Sequence, residues 1–170
     1  MTGVFNTIGH ETEQPSRDAS ARFLDGLASL FRAEAAIERE AYEEAVSLLD
    51  GAAATMETAA GEMERIAGGG GAYRIGEEVD DRDRAELDAL EARLAELGWG
   101  APLWNHEILL IAGTELRTLA QVVRAQTPAL GTPPLDWSAL RRINERVRRV
   151  LELGTLLSRA SFLGGHAARD

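Results

Sequence analysis

Histidine is the side chain best suited to moving protons near neutral pH, and this chain carries three, His10, His106 and His166. His10 falls in a polar N-terminal stretch, His106 in an expected first helical turn, and His166 beyond the expected last helix. No serine, histidine and acid can be assembled into a triad from their spacing. Carboxylates are plentiful, and Glu34 and Glu38 lie one turn apart on an apolar stripe with Tyr42 a turn further on. A di-iron bundle centre needs inward carboxylates joined to Glu-x-x-His pairs. Glu57, Glu62, Glu64, Glu115 and Glu145 are followed at that offset by Ala60, Arg65, Ala67, Thr118 and Arg148. Histidine never completes the pair, so no metal and no other cofactor is expected. The absence of cysteine excludes disulfides, thiolate metal sites and a thiol nucleophile.

Two further patterns touch phosphate chemistry. The glycines from Gly68 to Gly71, with Gly76 following, are succeeded by Glu77-Glu78 where a phosphate loop needs Lys-Ser/Thr, so they read as a linker. Near the C-terminal end, Arg159 and His166 are separated by six residues. That spacing resembles the Arg-x(4–6)-His signature of HEPN-type ribonucleases, which are small helical bundles. The resemblance spans eight residues, and Ala160 stands where the family usually carries a polar side chain. It implies, as one alternative function, metal-independent RNA cleavage by Arg159 and His166, usually from a dimer interface.

Surface patterning points elsewhere. All 18 basic residues are arginine, set against 28 acids for a formal net charge of −10. The balance is uneven, with net −13 over residues 1–100 and net +3 over residues 101–170. A field of that overall sign repels phosphate backbones at long range, so nucleic acid is not an expected partner. Arg142, Arg146 and Arg149 recur at helical spacing and form a stripe beside an apolar seam, with Arg141 and Arg148 nearby. The stripe either meets the acidic N-terminal helices or offers a docking face for an acidic partner. Trp99, Trp104 and Trp137 all fall at helix starts or connectors, where tryptophan caps a bundle end or anchors a partner.

The elements that must position these residues are helices. Aromatics are only 5% of the chain, so core volume must come from small and aliphatic residues, which suits closely spaced rods. The expected organisation is a flexible tail over residues 1–15, one domain over 16–164 and a C-terminal tail over 165–170. Ser16 is the expected N-cap of a first helical stretch. There Leu24, Leu27, Phe31 and Ala35 form one apolar row, and Leu30, Ala33, Ile37 and Ala41 a second. Two such rows make a face broad enough for two neighbours. A single helix over 17–67 would be about 75 Å long, so a break near Asp50-Gly51 is expected. Residues 72–79 read as a loop, after which Leu87, Leu90, Leu94 and Leu97 mark a helix closed by Gly98. Asn105 is the expected N-cap of a helix rich in Ile108, Leu109, Ile111 and Ala112, apolar nearly all round at its start. Thr127–Pro134 interrupts the chain. A last helix then starts near Asp136 and runs to Leu163, its seam Leu140, Ile143, Val147, Val150, Gly154 and Leu157 spaced as in a coiled coil.

The predicted fold is all-α, an antiparallel four- to five-helix bundle with long first and last helices. No run is long and apolar enough to span a bilayer. The first fifteen residues lack the basic and apolar segments of a signal peptide, so a cytoplasmic location is expected. The leading functional expectation is a non-enzymatic helical interaction protein: an adaptor, chaperone-like or regulatory subunit. It would bind another protein, or a second copy of itself as a homo-oligomer, through Arg142, Arg146, Arg149, Trp99 and Trp104. Another alternative is a small-molecule sensor or carrier with a pocket near Trp99–Trp104.

Overall fold

A helix with apolar residues every third or fourth position must bury that stripe against another rod. The computed structural model of the chain meets this demand with five α-helices packed against each other. It describes residues 9–69, 79–100 and 104–167, and side chains within 17–163 of these except at Asn105. The helices are α1 (Gly9–Glu38), α2 (Tyr42–Gly69), α3 (Asp81–Glu96), α4 (Asn105–Gln126) and α5 (Trp137–Ala167). A 3-10 turn, Thr127–Leu130, stands between α4 and α5. Among the described residues there is no strand, and no helix is long and apolar enough to cross a membrane.

The break in the long N-terminal stretch falls at Arg39–Ala41, not at the expected Asp50-Gly51. Glu40 takes a left-handed conformation, φ 61°. Its N–H bonds the Ile37 carbonyl at 3.0 Å while the Ala41 N–H reaches back to Ala36 at 2.9 Å. These are the two bonds of a Schellman motif, and a non-glycine residue there carries a steric cost of about 1–2 kcal/mol. Gly51 by contrast sits inside α2, and a Cβ added to it would meet nothing within 4 Å. The expected helix start also moves. Ser16 is no cap, because α1 begins at Gly9 and takes in residues 9–15. Pro15 lies within it, leaving the Glu11 carbonyl without its usual helical donor. At the other end, α5 continues through Gly164-Gly165 to Ala167.

Other boundaries follow local chemistry closely. Asp80 caps α3 by accepting from the Asp83 N–H at 2.9 Å. Gly98, φ 92°, closes the same helix with the Trp99 N–H bonded to Leu94 and its own N–H to Ala95. At α4 the expected cap shifts by one position: Trp104 occupies it and Asn105 is the first helical residue. The Glu107 carboxylate reaches back to accept from the Trp104 N–H at 2.8 Å, the reciprocal half of a capping box. Asp136 caps α5 through the Ser138 N–H at 2.9 Å. Residues 70–78, which hold most of the expected loop and Gly70 and Gly71, lie outside the described residues.

α2 lies between α1 and α4, while α5 packs on α4 and on α3. Close approach comes from small residues: Ala33 and Ala36 of α1 and Ala45, Ala52, Ala53, Ala59 and Ala60 of α2 are all fully buried. A Cβ on Gly26 would stand 3.1 Å from Met56 Cγ, and one on Gly113 would stand 3.1 Å from the Ala60 carbonyl oxygen. Phe23, Leu49, Met56, Leu109, Leu116 and Leu119 fill the remaining core, each contributing about 1.5–3 kcal/mol by burial. The seam of α5 is buried from Ile143 to Leu163. At the start of α4, Leu110 stays 39% exposed, so that apolar segment is not buried all round.

Two substitutions test this packing. Gly51→Ala is expected to raise the free energy of unfolding by about 1 kcal/mol through helix propensity alone. Gly113→Val drives its side chain into the α2 backbone and is expected to lower stability by about 2 kcal/mol. Urea titration followed by circular dichroism measures both.

Candidate interaction surface

The arginine stripe of α5 is largely consumed inside the molecule. Arg146 and Arg149 both reach Glu115 of α4, at 2.5 and 3.2 Å, and the Glu115 side chain is only 4% exposed. Arg149 also donates to the Leu97 carbonyl at the end of α3, at 2.6 Å. Arg142 holds Asp136 at 3.1 Å, Gln126 at 2.8 Å and Ser138 at 2.9 Å, and so ties the start of α5 to the end of α4. The stripe therefore meets α4 and its own cap, not the acidic N-terminal helices. Those acids find other cations: Glu62 pairs with Arg22, Glu64 with Arg117 and Glu57 with Arg124.

Trp99 lies half-buried against the core after α3, and Trp104 is the half-buried cap of α4, its ring 6.3 Å from that of His106. Neither lines the cleft at Leu27 and Ile143 or the hollow at Trp137 and Arg148. Arg159 is bound to Glu86 of α3 through both carboxylate oxygens and lies over the Phe162 ring at 5.1 Å. The His10 and His166 side chains lie outside the described residues. Among the described residues no group of three or more histidines and carboxylates gathers as metal ligands.

The open surface lies elsewhere, on α1 and α5. Of the six large apolar side chains left exposed among the described residues, five belong to these two helices: Leu24, Phe31, Trp137, Leu151 and Phe162. Phe31 is 59% exposed and Trp137 57%. A narrow cleft runs between the helices, walled by Leu27, Leu30, Phe31 and Glu34 on one side and by Leu140, Ile143, Asn144 and Val147 on the other, over Leu49. Its free space, about 10 Å³, is that of a single water. A shallower hollow of about 430 Å³ adjoins it, lined by Trp137, Leu140, Arg141, Asn144, Glu145 and Arg148. The two share Leu140 and Asn144, so the surface from Phe31 to Arg148 is continuous.

Sequence spacing carried signals for both features. Leu24, Phe31 and Ala35 belong to the first apolar row of α1, and all three stay exposed although Leu27 of the same row is buried. Glu115 interrupts the row Ile108, Ala112, Leu119 at regular helical steps, which marks it as an inward acid needing a cation. The pairing with Arg146 and Arg149 needed the three-dimensional arrangement.

The Glu115 cluster and the exposed pairs differ in what they contribute. Glu115→Ala strands two partly buried guanidinium groups and is expected to cost about 3 kcal/mol. Glu57→Ala, which removes a pair half open to water, is expected to cost about 0.5 kcal/mol. Chemical denaturation of the two variants checks the contrast. A pH dependence follows from two other acids. The Ser138 hydroxyl and N–H, with Arg142, hold the Asp136 carboxyl below its usual value, and Arg159 does the same for Glu86. Depressed folded-state values mean stabilisation that is present above the ordinary carboxylate range, near about pH 4, and is lost as pH falls through the lowered values. The thermal midpoint should drop on acidification, and Asp136→Asn, which keeps a capping oxygen, should flatten part of that drop. In comparisons with known proteins, no family model, no curated protein and no solved structure matches this chain.

Proposed function

We propose that the chain is a non-enzymatic helical interaction protein, an adaptor, chaperone-like or regulatory subunit, which binds a protein partner on the face made by α1 and α5. The observation carrying this reading is the exposure of Phe31 and Trp137 beside a cleft and a hollow that share Leu140 and Asn144. Large apolar side chains exposed close together on a soluble domain mark a surface that something covers. Two arginines beside the patch, Arg141 and Arg148, have no ion-pair partner among the described residues, which leaves them free to orient a partner. The neighbouring cleft is too narrow for a metabolite. The reading takes the fold as an antiparallel bundle. Support comes from bridges that run in opposite order on neighbouring helices: Glu57 and Glu64 of α2 hold Arg124 and Arg117 of α4, and Glu86 and Arg93 of α3 hold Arg159 and Glu152 of α5.

Site-specific photo-cross-linking in the source cell tests it. A benzophenone side chain replacing Phe31 or Leu151 should form protein adducts several-fold more efficiently than one replacing the exposed Asp88 of α3. Equal yields at all three positions would overturn the assignment of this face.

A further inference from the structure

Resting on that reading of the face, we infer that its occupant is a second copy of this chain, related by a two-fold axis that lays α1 of each protomer on α5 of the other. A two-fold contact requires one patch that complements itself. This patch does so in shape-giving residues and in charge. Leu24 and Phe31 are seven residues apart on α1, and Trp137, Asn144 and Leu151 repeat at the same interval on α5. Both stripes therefore have the period at which long helices pack side by side. Ala28 and Ala35 stand exposed between the larger residues of α1, leaving room for Trp137 and Leu151 to enter from across the contact. Asn144 at the centre of the α5 stripe is the kind of polar residue that fixes register and partner number.

Charge selects the arrangement. On α1 the cleft is bordered by Glu34, with Glu38 one turn further on; on α5 the adjoining hollow is bordered by Arg141 and Arg148, with Glu145 between them. Glu34, Glu38, Arg141 and Arg148 have no ion-pair partner among the described residues. Placing α1 on the partner's α1 would oppose these acids to each other, whereas α1 on α5 joins them to the two arginines, and the two-fold makes that junction twice. The overall charge of −10 opposes self-association at long range, whereas this patch is locally balanced.

Sedimentation equilibrium on the purified full chain, with charge-swapped variants, decides the matter. The wild-type chain should dimerise. Glu34→Arg with Glu38→Arg should weaken the dimer about tenfold or more by opposing arginine to arginine, and so should Arg141→Glu with Arg148→Glu by opposing acids. Mixing the two variants in equal amounts should restore a dimer, because each junction is then attractive. Circular dichroism melts of each variant establish that all are folded. A wild-type chain that stays monomeric at about 100 μM, several orders above typical stable-dimer constants, overturns the second copy and leaves the face open to another protein. A dimer weakened by each swap but not restored by mixing overturns the two-fold pairing of α1 with α5. A dimer indifferent to both swaps and to Phe31→Asp overturns the pairing and the assignment of the face together.

Discussion

Distance between helix axes governs this molecule. With few aromatic residues to fill space, α2 reaches its neighbours by dispensing with side-chain bulk. Alanine after alanine is buried along it, and at Gly113 the backbone of α4 comes nearly into contact with that of α2. Packing at that separation recovers dispersion contacts from main-chain atoms that larger residues would hold apart. The consequence is asymmetry. One side of the bundle is sealed by small residues, while α1 and α5, which have no such row between them, stand far enough apart to leave a cleft and bare shoulders.

Charge is arranged around that framework. Arginines of α4 clasp acids of α2, and α5 exchanges bridges with α3, so the acidic and basic halves of the chain are stitched together mainly at the surface. Glu115 is the exception, a carboxylate taken out of water and shared between two guanidinium groups. An arrangement of that kind contributes less to net stability than to specificity, because a register shift of either helix would leave an ion unmatched. It fixes how α5 lies on α4, and thereby which face of α5 remains outward.

Periodicity in the sequence was enough to find four or five rods and the inward face of most of them. The seam of α5 and the Leu87–Leu94 stripe of α3 lie where their spacing implies. Helix ends were legible where a residue type has one job, as with Asp80, Gly98 and Asp136. They were not legible where the chain departs from preference: Glu40 adopts a backbone conformation usually left to glycine, Pro15 lies inside a helix, and Gly164-Gly165 do not end one. The candidate surface was half legible. Leu24 and Phe31 were recognisable as part of the first apolar row, but a row that becomes buried and one that stays exposed read identically in sequence. The partner of the arginine stripe was not legible for the complementary reason, since the buried Glu115 sits 31 and 34 residues away in sequence.

α3 is attached unlike the other helices. It buries only Leu87 and Leu94 fully, and its ties to α5 include Arg93 with Glu152, Glu86 with Arg159, and the Arg149 bond to the Leu97 carbonyl. Such exposed bridges fade as the Debye length contracts, whereas alanine packing does not. Added electrolyte therefore acts on this molecule as a selective solvent: one segment loosens by local opening while the rest of the domain holds its amide protons.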